Sequence, residues 1–286
     1  MALQAKVIKQ KIKGVGNIRK ITRTMEMVSV AKMKKAVTSA SGLRTYSTES
    51  TKQLHALGTL EAMRDSRYTK EIKGKELIII IGSNKGLCGS YNTNVYRSLS
   101  KILADKKSEI GALTVGKQAE KIAKRVNLKV IASFVEYSDS PTFEDTEALV
   151  AVCMKSFDEG EYSTVSVLYT EYIKAMSYKT KHQNLLPIIS DLVLEGEDAD
   201  TISVDTVIEP DAATAINTIV PRAIHARIHS ALLESLASEH SSRMFAMNTA
   251  TENAKDMLRS LNISYNRARQ DAVTQELAEI AAGSGN

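Results

Sequence analysis

Two stretches carry residue types whose spacing could do chemistry. The first is "GSNKGLCGSYN", residues 82–92, which follows the apolar run "ELIIII" and precedes polar, helix-compatible sequence. In an α/β protein, a strand, a glycine-rich turn and a helix in that order can cradle a phosphate at the helix N-terminus. The second is "HARIH", His225 to His229. Histidines at i and i+4 share one helix face and could hold zinc.

Neither stretch completes its motif. A phosphate loop needs GxxxxGK followed by Ser or Thr, because the lysine reaches the outer phosphates and the hydroxyl holds magnesium. Counting from Gly82, the second required glycine falls on Leu87. The dinucleotide pattern GxGxxG fails as well, since Gly82, Gly86 and Gly89 contain no GxG. A βα turn that needs glycine backbone freedom accounts for the loop. In "HARIH" the general base of an HExxH protease would be Ala226, and no third ligand follows. No metal and no cofactor is therefore expected. Asn262-Ile263-Ser264 is a glycosylation sequon by spacing alone, and no Ser–His or Cys–His arrangement stands out.

The elements that must position these residues fall into three segments. Residues 75–205 alternate β-rich runs ("ELIIII", "IGALTV", "LKVIASFV", "STVSVLYTEYI") with helix-like stretches at 92–107, 117–126 and 142–158. Such alternation predicts a mostly parallel sheet with helices on its faces. The stretch near "AMSYKTKHQNLLPII" reads as an antiparallel extension. On either side lie helical segments, 1–58 and 209–286. No glycine occurs between Gly196 and Gly283, and no proline beyond Pro221. The later segment repeats apolar residues at helical steps, among them Ile224, Ile228, Met247, Ala254, Met257, Leu258, Leu261, Tyr265 and Ala268. A helix from Arg222 to about Ala282 would run about 90 Å, with Pro221 kinking it or opening its first turn. In the first segment the expected stripe is Ile8, Ile12, Val15, Ile18, Ile21, Met25, Val28 and Ala31, softened by Gly14 and Gly16. Long helices at both ends invite antiparallel pairing. The predicted fold class is α/β: an antiparallel coiled coil of N- and C-terminal helices with an inserted Rossmann-like α/β domain.

Composition excludes several functions. The longest strong apolar run, Leu77 to Ile81, is far short of a membrane span. The basic N-terminus has no apolar core for a secretory signal. Cys88 and Cys153 are far apart, which argues against a disulfide framework or zinc ribbon. Charge is uneven. Residues 1–44 hold eleven Lys or Arg against Glu26 alone, whereas residues 222–286 carry seven of each sign. A basic arm fits an acidic partner. Nucleic acid is disfavoured, because no aromatics interleave with the charges. From residues alone the chain reads as a non-catalytic rod carrying an α/β domain. The alternatives are an α/β nucleotide-using enzyme with helical extensions, and a coiled-coil scaffold or nucleic-acid binder.

Three stretches narrow this. "NIRKITRTMEMVSVAKMKKA", "GSNKGLCGSYN" and "ASEHSSRMFAMNTATENAKDMLRSLNISYNRARQDAVTQELAEIAAG" together resemble the γ subunit family of the F-type ATP synthase, in the right order over essentially the whole chain. The resemblance implies a central rotor shaft without catalytic residues, coupling proton or sodium flow to ATP synthesis or hydrolysis on the β subunits. It implies three α and three β subunits around the coiled coil, with the ε subunit and the ring of c subunits at its foot. It places Lys85 and Cys88 toward a β subunit, and likewise Met25, Arg269, Gln270, Thr274 and Glu276. Lys32, Lys34 and Lys35 fall lower on the shaft. With no presequence, the expected location is the cytoplasmic face of a bacterial inner membrane, peripherally bound. The ending "GSGN" departs from the family's small apolar tail, and the thiol-regulated insertion of chloroplast relatives is absent.

Overall fold

A computed structural model describes the chain apart from residues 1, 59–62, 64–65, 71, 73, 106–107, 136, 189–210 and 284–286. Inside the helices, the side chains of 2–5, 44–45, 47–48, 51–58, 276, 279 and 281–282 also lie outside the description. The expected end of the α/β domain near 205, the start of the C-terminal segment at 209 and the "GSGN" ending thus fall outside the described residues. By compactness the chain divides into two units, Met1–Val30 with Arg243–Asn286, and Ala31–Ser242.

In the larger unit, five strands form one sheet in the order β3-β2-β1-β4-β5. They are β1 (Glu76–Ile81), β2 (Ile110–Val115), β3 (Lys129–Phe134), β4 (Thr164–Lys174) and β5 (Ser177–Leu186). The first four are parallel, with Ile78 beside Ala112 and Ser166. The fifth returns antiparallel to β4, pairing Thr170 with Thr180. The antiparallel extension read from "AMSYKTKHQNLL" is this hairpin.

Helices cover both faces, so β1 is buried along its whole length and reads as an unbroken apolar run. Its even residues Ile78 and Ile80 face Val95 and Leu99 of α2 (Tyr91–Asp105) and Ile122 of α3 (Lys117–Arg125). Its odd residues Leu77, Ile79 and Ile81 face Leu149 and Cys153 of α4 (Glu147–Asp158) and Ile224 and Ile228 of the last helix. The expected helix at 142–158 begins later. Thr142 and Asp145 cap one another reciprocally, with Thr142 N donating to Asp145 Oδ2 at 2.7 Å and Asp145 N to Thr142 Oγ1 at 3.3 Å.

The long helices are α1 (Ala2–Gly58) and α5 (Ala212–Gly283). The latter starts ten residues before Arg222, correcting that expectation. Asp211 caps it, accepting from Thr214 N at 2.8 Å and Thr214 Oγ1 at 2.7 Å. Pro221 therefore sits inside the helix. The turn that loses a backbone donor there buries Val220, Ala223 and Ile224 in the core, which offsets the usual cost of about 3 kcal/mol.

In the smaller unit the two helices run antiparallel. Thr251 bonds Thr22 at 2.8 Å, and Asn248 bonds Glu26 at 3.2 Å. The α5 side of the seam is Met247, Thr251, Ala254, Leu258, Leu261, Tyr265, Ala268 and Ala272, all buried or half-buried at alternating four- and three-residue steps. That 3.5-residue period is a coiled-coil seam. The α1 side differs from the expected stripe. Ile8, Val15, Thr22 and Ser29 turn inward, whereas Ile18, Ile21 and Val28 are 54%, 58% and 47% exposed. Met257 of α5 also lies outside the seam.

Candidate functional site

The loop between β1 and α2 is the most constrained part of the larger unit. Ser83 N donates to Asn92 Oδ1 at 3.2 Å, and Asn92 Nδ2 donates to Ser83 Oγ at 2.7 Å. Ser83 Oγ passes its own proton to Lys85 O at 2.8 Å. Asn92 Nδ2 also reaches Cys88 Sγ at 3.1 Å. Gly82 N bonds Val115 O and Tyr91 N bonds Cys88 O. The N–H groups of Gly82, Ser83 and Tyr91 are thus engaged within the protein.

Glycine is required here by packing between neighbouring βα turns. Gly116 has φ +92°, and a Cβ on it would stand 2.3 Å from Gly82 O. A Cβ on Gly82 would meet Ala119 N at 2.8 Å. The two turns touch through their glycines, and no L side chain fits between them.

Cys88 is 2% exposed, with its thiol turned into the loop. Within the chain itself the Cys88 side chain faces the loop interior. Asn92 and Ser83 occupy the inside of the loop, and the thiol completes that packing. What points outward is Lys85 and Leu87. Leu87 is 64% exposed at φ 62°, a conformation that a non-glycine residue rarely adopts.

From outside, the loop is fastened to α5 and the β4–β5 hairpin. Ser242 Oγ donates to Cys88 O at 2.6 Å. Tyr178 Oη lies 2.9 Å from Ser242 Oγ, and Ser90 Oγ lies 3.4 Å from Tyr178 Oη. Two more serines of α5 clasp β4. The β1–β4 ladder ends at Ile80 and Leu168, so beyond it β4 has no strand beside it on that edge. There Thr170 N donates to Ser235 Oγ at 3.1 Å, and Ser238 Oγ donates to Thr170 O at 3.1 Å. Met176 N donates to Ser241 Oγ at 3.0 Å. Tyr91, the first residue of α2, is buried among these groups. Burial pushes its hydroxyl pKa up, and nearby Glu239 adds to the shift.

The basic residues divide. Lys32 pairs with Asp139 at 2.6 Å. Asp139 is held below the usual carboxylate range chiefly by its hydrogen bond to Lys32, with His240 and Lys85 adding to the effect. The structure thus gives Lys32 a carboxylate partner. Lys34 and Lys35 are exposed and lie outside this cluster. In the smaller unit, Met25 is half-buried at the level of Asn248, and Arg269, Gln270 and Thr274 are exposed. Arg269 lies about 30 Å farther along α5 at 1.5 Å per residue, so Met25 and the Arg269–Thr274 group form two separate sets. The side chain of Glu276 lies outside the described ones.

The histidines of "HARIH" hold a structural joint. His225 Nε2 lies 3.0 Å from Phe143 O and 2.8 Å from Thr146 Oγ1, so Nε2 carries the proton. His229 Nδ1 lies 3.4 Å from the same hydroxyl. Phe143 stacks on His225 with centroids 3.6 Å apart. Burial pushes His225 down and His229 down to about 4. Among the described residues no group of three His, Cys, Asp or Glu could hold a metal ion. Among them, too, no helix is long and apolar enough to cross a membrane.

Sequence reasoning missed Leu87, Asp139, Tyr178 and Ser242. For the serines of α5 that clasp β4 and its turn a signal existed. "SLASEHSS" sets Ser235, Ser238 and Ser241 at three-residue steps, the spacing of a polar stripe facing a strand edge. Asp139, Tyr178 and Ser242 carry no such local mark.

The family model described as ATP synthase matches residues 4–285. The ATP synthase gamma chain of Cupriavidus necator is 35% identical over 283 residues, covering 97% of each chain. Among solved structures, a chain of the Euglena gracilis mitochondrial ATP synthase rotor, rotational state 1, aligns with a TM-score of 0.67 at 20% identity, over 96% of this chain and 100% of that one. A chain of the Tetrahymena thermophila mitochondrial ATP synthase central stalk and c-ring aligns with a TM-score of 0.58 at 25% identity, over 80% and 99%. With a match of this length and identity, the chain belongs to the ATP synthase gamma chain family.

Proposed function

We propose that the chain is the central rotor shaft of an F-type ATP synthase, coupling ion flow through the membrane sector to ATP synthesis or hydrolysis. The carrying observation is the antiparallel helix pair joined at Thr22–Thr251 and Glu26–Asn248, within a chain that matches gamma chains over nearly its whole length. Outside the seam, Ile18, Ile21 and Val28 of α1 are exposed, and exposed apolar residues on a charged helix favour a protein partner.

In this reading the chain is non-catalytic. The loop that resembles a phosphate cradle has its Gly82, Ser83 and Tyr91 amides engaged. Catalysis belongs to three β subunits, alternating with three α subunits around the helix pair. The ε subunit and the c-subunit ring meet the opposite end. The working division is N-terminal helix 1–58, α/β domain 75–205 and C-terminal helix 209–286. The β-facing positions are Met25, the loop that carries Lys85 and Cys88, and Arg269, Gln270, Thr274 and Glu276, with Lys32, Lys34 and Lys35 lower on the shaft. The location is peripheral, on the cytoplasmic face of a bacterial inner membrane, in line with bacterial relatives such as that of Cupriavidus necator.

The mechanism follows from asymmetry. One shaft inside a threefold ring contacts each β subunit differently, so the three sites differ at any instant. A partner shifts a conformational equilibrium only by its differential affinity for the states. Turning the shaft moves the favourable contacts to the next β subunit. Exposed ion pairs contribute roughly 0.2–1 kcal/mol each, so many weak contacts transmit torque without stalling the motor. Steady-state ATP hydrolysis by the chain alone, by matching α and β subunits, and by all three together tests this reading. Sustained turnover only in the mixture is expected; hydrolysis by the chain alone sinks it.

A further inference from the structure

A closed circuit of hydrogen bonds fastens the loop at residues 88–90. Cys88 O has no proton, so Ser242 spends its hydroxyl proton there, at 2.6 Å. Tyr178 must then donate to Ser242 Oγ at 2.9 Å. Ser90 is left to donate to Tyr178 Oη at 3.4 Å. The direction Ser90, Tyr178, Ser242, Cys88 returns to the chain two residues before it began, around Gly89 at φ 54°. Inside the loop, Asn92 holds Ser83 and Cys88. Between these two clamps the tip Lys85-Gly86-Leu87 projects, with Leu87 held outward at positive φ. Such strain persists only where the surroundings over-determine it.

We propose that Tyr178 and Ser242 are positioning residues for rotary coupling, holding the tip in the orientation that meets the surrounding subunits, and that Leu87 is the tip's apolar contact. The proposal rests on the rotor reading. Both residues act through Cys88 and Ser90, and neither belongs to the tip.

Ser242→Ala and Tyr178→Phe each break the circuit, and the second keeps the ring that packs in the fold. In the isolated chain, backbone hydrogen exchange over residues 84–91 should rise roughly three- to tenfold in each variant, the factor represented by one net hydrogen bond. Exchange in β1 and β2 should stay unchanged. In the complex with matching α and β subunits, Ser242→Ala, Tyr178→Phe and Leu87→Ala should each lower ATP-driven turnover by about threefold or more. Ser242→Ala added to Leu87→Ala should lower it no further, because both remove the same contact. Unchanged exchange overturns the circuit. Faster exchange with wild-type turnover, or losses that multiply in the double variant, overturns the positioning role. If the wild-type chain fails to support turnover, the rotor reading falls and takes this proposal with it, while the exchange result still judges the circuit by itself.

Discussion

Thr251 Oγ1 and Thr22 Oγ1 lie 2.8 Å apart across the seam of the helix pair, and each also reaches a carbonyl of its own helix, Met247 O at 2.8 Å and Arg19 O at 3.1 Å. Both threonines are 9% exposed. Thr251→Val keeps the shape and removes one hydroxyl of the pair, so it should cost about 1 kcal/mol by denaturant unfolding. Thr22→Val together with Thr251→Val should recover most of that, because an apolar pair of the same shape leaves no buried group unsatisfied. A double variant less stable than the single would show that the hydroxyls do not face one another.

Acid should loosen the joint between α5 and residues 143–146. His229 has its folded pKa near 4, below its ordinary value of 6.5. Between those values the unfolded chain binds more protons, so stability falls as pH drops from about 6.5 toward about 4. Asp145 opposes the shift and His225 reinforces it. His229→Gln keeps a hydrogen-bonding side chain without the titration. Melting temperatures at pH 7 and pH 5 should therefore lie closer together in the variant than in the wild type.

Two glycines should respond oppositely to alanine. Gly116→Ala puts a Cβ 2.3 Å from Gly82 O at φ +92°, and should cost several kcal/mol, about 2–4, by unfolding. Gly14→Ala lies within α1 and would meet nothing within 4 Å. It should stabilise the chain by up to about 1 kcal/mol.

Both thiols should resist alkylation in the native chain. Cys153 is fully buried, which pushes its thiol up to about 12, and Cys88 lies inside its loop. Iodoacetamide at pH 8 should leave both unmodified until denaturant is added, as read by mass spectrometry. Rapid native modification of Cys153 would contradict the packing of α4 on the sheet.

The strands were legible because β1 and β2 are buried on both faces, which leaves runs such as "ELIIII" without polar interruption. The seam of α1 was legible only in part, at Ile8, Ile12, Val15 and Met25. Apolarity picks Ile18, Ile21 and Val28, yet the inward positions include Thr22 and Ser29. Closely approaching helices favour small side chains there, and the larger apolar residues fall on the outer face. The start of α5 was misplaced because Pro221 is a stronger local signal than Asp211. Within the site, the glycines of the loop were visible, but their clamps were not. Ser242 lies 154 residues from Cys88, and Tyr178 lies 88 from Ser90, separations at which no local pattern carries information.

Rotation itself tests the central claim most directly. The buried native cysteines leave an introduced one, Lys121→Cys on α3, as the accessible thiol for a bead. The chain is assembled with matching α and β subunits fixed to a surface, and ATP is added. Turning in one direction, with pauses about a third of a turn apart as the threefold ring requires, is the predicted result. A bead that shows only undirected motion while the same complexes hydrolyse ATP would contradict it.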